Sequence, residues 1–97
     1  MTVIRLIHVK VRPEQTSEAE KIWREECAPL MSASPGFLSE KLLKCLEEPG
    51  EYISYSEWEN EAAIERYRES EAHHEIQSHS RRLQGAKAIV KSYSVIP

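Results

Sequence analysis

The stretch TVIRLIHVKV, residues 2–11, constrains the fold more than any other part of the chain. It alternates as a strand does, yet both of its faces, Val3/Ile7/Val9/Val11 and Ile4/Leu6/His8, are largely apolar. A strand of that kind must be covered on both sides. At 97 residues the chain has room for one domain, expected to span 1–97, and only a modest core with which to cover it.

Downstream the periodicity switches. Pro13 and Thr16 or Ser17 start a helix expected to run to about residue 33, with Ala19, Ile22, Trp23, Cys27 and Leu30 on one arc. Pro29 should bend or fray its last turns, and Glu26, inside that arc, should reach water through the distortion. SPGF is a turn, FLSEKLLKCL a second strand, EEPGE a hairpin loop and YISYSEW a third strand. Asn60 caps a short helix, and Ser70 caps another expected to reach about Leu83. AKAIVKSYSVI ends the pattern as a fourth strand. The order strand–helix–strand–strand–helix–helix–strand predicts an α+β, ferredoxin-like fold, a four-stranded antiparallel sheet with helices on one face. Its second, apolar sheet face predicts a homodimer built through that open face.

Charge narrows the partners. Thirteen Lys and Arg against sixteen acidic residues give a formal net charge of −3, with no basic run, which argues against nucleic acid. No apolar run has the roughly 18 residues of a membrane helix, and residues 1–11 lack the apolar block of a signal peptide, so a cytoplasmic location is expected. Cys27 and Cys45 fit a reducing compartment, and Cys27, on the buried stripe, reads as an inert core thiol. Every acidic residue is Glu, which disfavours a hard-cation site.

Residues 70–82, SEAHHEIQSHSRR, hold three of the four histidines and a near-match to the zinc-protease pattern H-E-x-x-H. Metal ligands on one helix must lie three or four residues apart. His73 and His74 are 100° apart, and His74 and His79 about 140°, so no metal site is expected. His73 shares its arc with Ile76, Ser80 and Leu83 and should face the space between sheet and helices. It reads either as a base for an acidic hydroxyl or as a half-buried histidine bonded to backbone or to Tyr67. His74 and His79 belong on the wetter side, and His8 on the dimer face.

The segment from Ser34 to Glu75 also carries a family resemblance. PGFL opening the second strand, Trp58-Glu59 ending the third, the helix start from Asn60 to Ala63, and Ser70 to His73 opening the next helix resemble the antibiotic biosynthesis monooxygenase-like family. That family lies within the dimeric α+β barrel superfamily, and the resemblance extends over nearly the whole chain. It implies three activities to weigh. Haem-degrading members use a first-strand Asn, a Trp and an axial His; those positions hold Ile7, Tyr67 and either Ile76 or Gln77 here, which removes the iron ligand. Quinol-oxygenase members use a Trp with an Asn four residues before it and a Tyr six after; here Trp58 matches, while Ser54 and Ile64 replace the others. Other members have no assigned chemistry.

The resemblance therefore implies a cofactor-independent monooxygenase acting on a flat quinol or polyketide-phenol substrate. Such a substrate supplies its own reducing power once deprotonated, so the chemistry calls for no flavin and no metal. No phosphate-binding glycine loop is present among the three glycines. His73 is the candidate catalytic base, and Trp58, Tyr67, Gln77, Ser54 and Trp23 are the candidate substrate-binding residues. Trp58 reads more readily as plain packing between helix and sheet. The alternatives are a non-catalytic dimeric binding or stress-response protein with a small apolar ligand, and a haem-binding member.

Overall fold

The computed structural model describes residues 2–80 and 87–97. Four strands, β1 (Val3–Lys10), β2 (Phe37–Lys44), β3 (Glu51–Trp58) and β4 (Lys87–Ser94), form one antiparallel sheet in the order β2-β3-β1-β4. The doubly apolar first strand thus sits inside the sheet, between β3 and β4, with Val3 opposite Trp58 on one side and Ser94 on the other. Helices cover one sheet face: α1 (Thr16–Ile22), α2 (Ala28–Ser32), α3 (Glu61–Arg68) and α4 (Glu71–Ser80). This is the expected ferredoxin-like α+β order. The end of α4, expected near Leu83, lies outside the described residues.

The first helix departs from expectation. Between α1 and α2 the chain makes a π-helical turn, Trp23–Cys27, in which the Ala28 N–H donates to the Trp23 carbonyl five residues back. Pro29 explains it. Its ring crowds the carbonyl four residues earlier and has no N–H to offer it, and a widened turn relieves both problems. Five-residue spacing then buries Ile22 and Cys27 together, positions about 140° apart on a regular helix. Beyond the turn Ala28 and Met31 face the core, while Leu30, expected there, is only half-buried.

The core is centred on Trp58, which is fully enclosed by Val3, Met31, Ala63, Ile64 and Tyr67, with Phe37 and Ile76 packed at its margin. Its ring lies edge-on to Phe37 at 5.7 Å and tilted against Tyr67 at 4.8 Å. The indole N–H donates to Ser56 Oγ at 2.9 Å, so burial leaves no polar atom of Trp58 unsatisfied. The turn before β2 makes this packing possible. Gly36 has φ +84°, and a Cβ there would sit 2.4 Å from the Cβ of Ala63. Both helix starts are capped as expected: Asn60 Oδ1 accepts from the Ala63 N–H at 2.9 Å, and Ser70 Oγ from the His73 N–H at 3.2 Å.

Among the described residues no helix lies over the other sheet face. Pairing register places Ile4 between Glu57 and Tyr93, Leu6 between Tyr55 and Lys91, and His8 between Ile53 and Ile89, with Leu43 of β2 opposite Ile53. Ile89 is 61% exposed.

Candidate functional site

On the helix-covered face, β3 presents Tyr52, Ser54, Ser56 and Trp58, all buried. Beside them β1 presents Val3, Arg5, Ile7 and Val9, with Ser54 opposite Ile7 and Ser56 opposite Arg5. Two buried serines and a buried arginine therefore form a polar band across an otherwise apolar interior.

At one end of this band a half-open cavity of about 80 Å³ lies between the sheet and the first helical segment. Trp23 and Cys27 from the π-turn, Leu42, Tyr52 and Ser54 from the sheet, and Glu20 from α1 line it. The indole N–H of Trp23 is buried and meets no hydrogen-bond acceptor among the described residues. Near the mouth the Tyr52 hydroxyl donates to Glu20 Oε2 at 2.6 Å, and Lys44 Nζ approaches the same oxygen at 3.2 Å. Burial, reinforced by the carboxylate of Glu20, pushes the Tyr52 phenol up to about 12. The Tyr52 and Lys44 hydrogen bonds draw the Glu20 carboxyl below its ordinary range.

At the other end, Arg5 is 4% exposed, and its Nε meets no hydrogen-bond acceptor among the described residues. A buried donor left in that state costs about 1–3 kcal/mol. The guanidinium carbon lies 5.5 Å from the centroid of the Tyr67 ring, and Tyr67 in turn meets His73 edge-on at 5.1 Å. Burial dominates the electrostatics of all three groups. It lowers Arg5 and raises Tyr67, the latter opposed by the charge of Arg5. His73 is held below the ordinary histidine value, first by burial and then by the charge of Arg5, against a hydrogen bond to the Arg68 backbone that raises it. A neutral imidazole with one nitrogen engaged by a carbonyl keeps a lone pair on the other, which can accept a proton.

The six residues singled out from the sequence thus fall into distinct surroundings. Tyr67 and His73 meet; Ser54 and Trp23 line the cavity; Trp58 is enclosed in the core against Tyr67; Gln77 is exposed on α4. Arg5 was missed, although its place in the alternation between Val3 and Ile7 put it on the covered face. The haem requirements are not met by the residues present: Ile7 and Ile76 bear no donor, Ile76 packs on the core, and Gln77 faces solvent. Among the described residues no three His, Cys or Glu side chains gather as a metal site, and the side chain of His79 lies outside them.

A ferredoxin-like α+β sheet with a small cavity and a polar band beneath its helices is a fold shared by many small domains. The chain belongs to the antibiotic biosynthesis monooxygenase family, whose sequence model matches residues 2–79. No curated protein sequence matches it. Among solved structures it resembles SnoaB, a cofactor-independent oxygenase from Streptomyces nogalater, with TM-score 0.85 and 17% identity over 99% of this chain and 94% of that one. It also resembles Rv0793 from Mycobacterium tuberculosis (TM-score 0.81, 16% identity, 100% and 97% covered) and a conserved protein from Methanosarcina mazei Go1 (0.74, 21%, 96% and 92%). At these identities the likeness is one of fold.

Proposed function

We propose that the chain is a cofactor-independent monooxygenase for an electron-rich phenol or quinol, working as a homodimer in the cytoplasm. The observation that carries this reading is the half-open cavity walled by Trp23, Cys27 and Ser54, which lies between a sheet and helices of the family fold. An apolar, partly closed pocket with few polar groups suits a flat ring whose anion must be shielded from water while it meets dioxygen. The substrate hydroxyl gives its proton to a base, for which His73 is the candidate. The ring anion then reacts with dioxygen; one oxygen atom stays on the ring, which becomes a quinone, and the other leaves as water. Trp23 and Ser54 orient the ring oxygens, a role supported by the indole N–H of Trp23 that lacks an acceptor among the described residues. Tyr67 supports His73, Trp58 supports Tyr67, and Gln77 contributes only if α4 shifts.

A stable dimer would bury the apolar open face carried by Ile4, Leu6, Ile53, Tyr55, Ile89 and Tyr93. The cavity volume favours a second reading for a specific reason. About 80 Å³ is smaller than the roughly 150 Å³ hole that holds one benzene ring, so a fused-ring substrate must extend through the mouth past Tyr52 and Glu20. A non-catalytic protein binding an apolar ligand smaller than one ring would need no such extension. Dioxygen uptake with a panel of naphthoquinols and anthrols separates the two: consumption that saturates with substrate is expected, and its absence across the panel would favour the binding protein.

A further inference from the structure

The two sides of the cavity are held in place by bonds of different strength. The sheet side, built from β1, β2 and β3, is fixed by ladder hydrogen bonds between strands. The helical side is secured less firmly, because α1 is only seven residues long and rests on the sheet by its side chains. Among the described residues two polar bonds tie α1 to the sheet, and both end on one atom. Glu20 Oε2 accepts from the Tyr52 hydroxyl of β3 at 2.6 Å and lies 3.2 Å from Lys44 Nζ of β2. The Lys44 side chain is exposed and adds little. The Tyr52 hydroxyl, on a residue 3% exposed, makes the stronger bond.

One wall has to move if a ring is to enter, since the cavity's volume of about 80 Å³ is below what benzene needs. α1 runs directly into the π-turn, where the helical ladder has already left four-residue spacing, and Trp23 and Cys27 at its two ends are cavity walls. A swing of α1 about that turn breaks the Glu20 bonds and no strand pairing. Glu20 is also the one charged side chain among the described residues that line the cavity, and its bonds to Tyr52 and Lys44 favour the ionised form. Opening the mouth frees this carboxylate from Tyr52. A ligand hydroxyl at the rim can take the vacated place on Oε2, whereas an ether has no proton to donate and an anion is repelled.

We propose that Glu20 is the gate and a specificity-determining residue of the cavity: its bond to Tyr52 holds α1 shut, and it admits neutral rings that bring a hydroxyl to the mouth while turning away anions. A quinol carries two hydroxyls, one for the rim and one for the chemistry inside. The inference rests on the reading of this cavity as the site of a ring substrate, but it concerns entry and is tested without turnover. Cys27 serves as a built-in reporter, because it is 5% exposed and lies on the cavity wall behind the gate.

Cys45→Ser leaves Cys27 as the single thiol, and its labelling by dithiodipyridine is followed by absorbance. In that background labelling is expected to be slow and to change little in low urea, the mark of a local opening. Tyr52→Phe and Glu20→Gln should each speed it about tenfold and leave its weak urea dependence unchanged. Labelling that follows global unfolding across the urea series overturns the gate, and so do variants that label at the parent rate. 2-Naphthol should protect Cys27 at about one tenth the concentration needed of 2-methoxynaphthalene, and 2-naphthoate should not protect it. In Glu20→Gln the preference for naphthol should shrink and naphthoate should begin to protect. Equal protection, or none, by naphthol and its methyl ether overturns the selectivity, as does protection by naphthoate in the parent. A gate that behaves as described, with no dioxygen uptake on any quinol, keeps Glu20 as the gate and removes the oxygenase. Dioxygen uptake with Cys27 labelled only through global unfolding does the reverse.

Discussion

The guanidinium carbon of Arg5 lies 5.5 Å from the centroid of the Tyr67 ring, and the same ring leans on Trp58 at 4.8 Å. One phenol ring therefore joins the polar band of the interior to the centre of the apolar core. Mutations on the two sides of Tyr67 should have different consequences, ionisation on one and stability on the other.

On the core side, Trp58→Ala should cost about 3–5 kcal/mol, because the largest enclosed side chain leaves a hole that Phe37, Tyr67 and Ile76 can only partly fill. Trp58→Phe should cost less but leave Ser56 Oγ without its donor. Urea unfolding gives both numbers. A loss below about 1 kcal/mol for the alanine variant would show that Trp58 is not the anchor described.

Gly36 and Ala63 should be coupled. Gly36→Ala forces a Cβ to 2.4 Å from that of Ala63 at φ +84°, a conformation alone worth about 1–3 kcal/mol of strain. Adding Ala63→Gly removes the clash but not the backbone strain. The double variant should be more stable than the sum of the singles predicts by at least about 0.5 kcal/mol. Strict additivity would contradict the close approach.

Stability should fall with acid through His73. The folded protein holds its pKa below the ordinary value, so beneath about pH 6.5 the unfolded chain binds a proton that the folded one resists. The contribution is intact above that pH and is lost as pH falls toward the folded value. His73→Gln should flatten the slope of stability between pH 7 and 5. The carboxyl of Glu20 is lowered as well, and its loss belongs to a lower, separate window. An unchanged slope in the variant would mean that His73 is solvated.

At the cavity mouth the sign reverses. Tyr52 is pushed to about 12, so its contribution is present below pH 10 and is lost as pH rises toward 12. Tyrosinate absorbance should show one phenol lagging through that interval. Tyr52→Phe should remove the lag and cost about 1 kcal/mol for the bond to Glu20.

The dimer proposal is tested on the opposite face. Sedimentation should give twice the 11.2 kDa chain mass for the parent. Leu6→Glu and Ile89→Glu, which place charges on the open sheet face, should each yield monomer. A parent that sediments as a monomer at micromolar concentration would end the proposal.

Much of this was legible along the chain because it depends on neighbours in sequence. The alternation of residues 2–11 foretold a strand, the Asn60 and Ser70 caps foretold two helix starts, and the strand–helix order foretold the sheet. Where a single bond had to be known, the reading slipped. Periodicity and Pro29 predict a first helix distorted in its last turns with Cys27 buried, but not that the distortion is a π-turn, which leaves Leu30 only half-buried. The histidine-rich segment resolved as helical spacing required: His73 faces inward to Tyr67, and His74 is exposed.

What the sequence by itself determined, then, was the order of the elements and the face each turns inward, because periodicity and capping are local properties of the backbone. The tertiary structure alone decided which inward-facing groups meet. Arg5 is one more polar residue in an alternating strand until α3 and α4 close over it, strip away its water and bring Tyr67 and His73 to it from some sixty residues further along. Burial, which sets the ionisation of all three, is a property of that closure and has no counterpart in any local stretch of the chain.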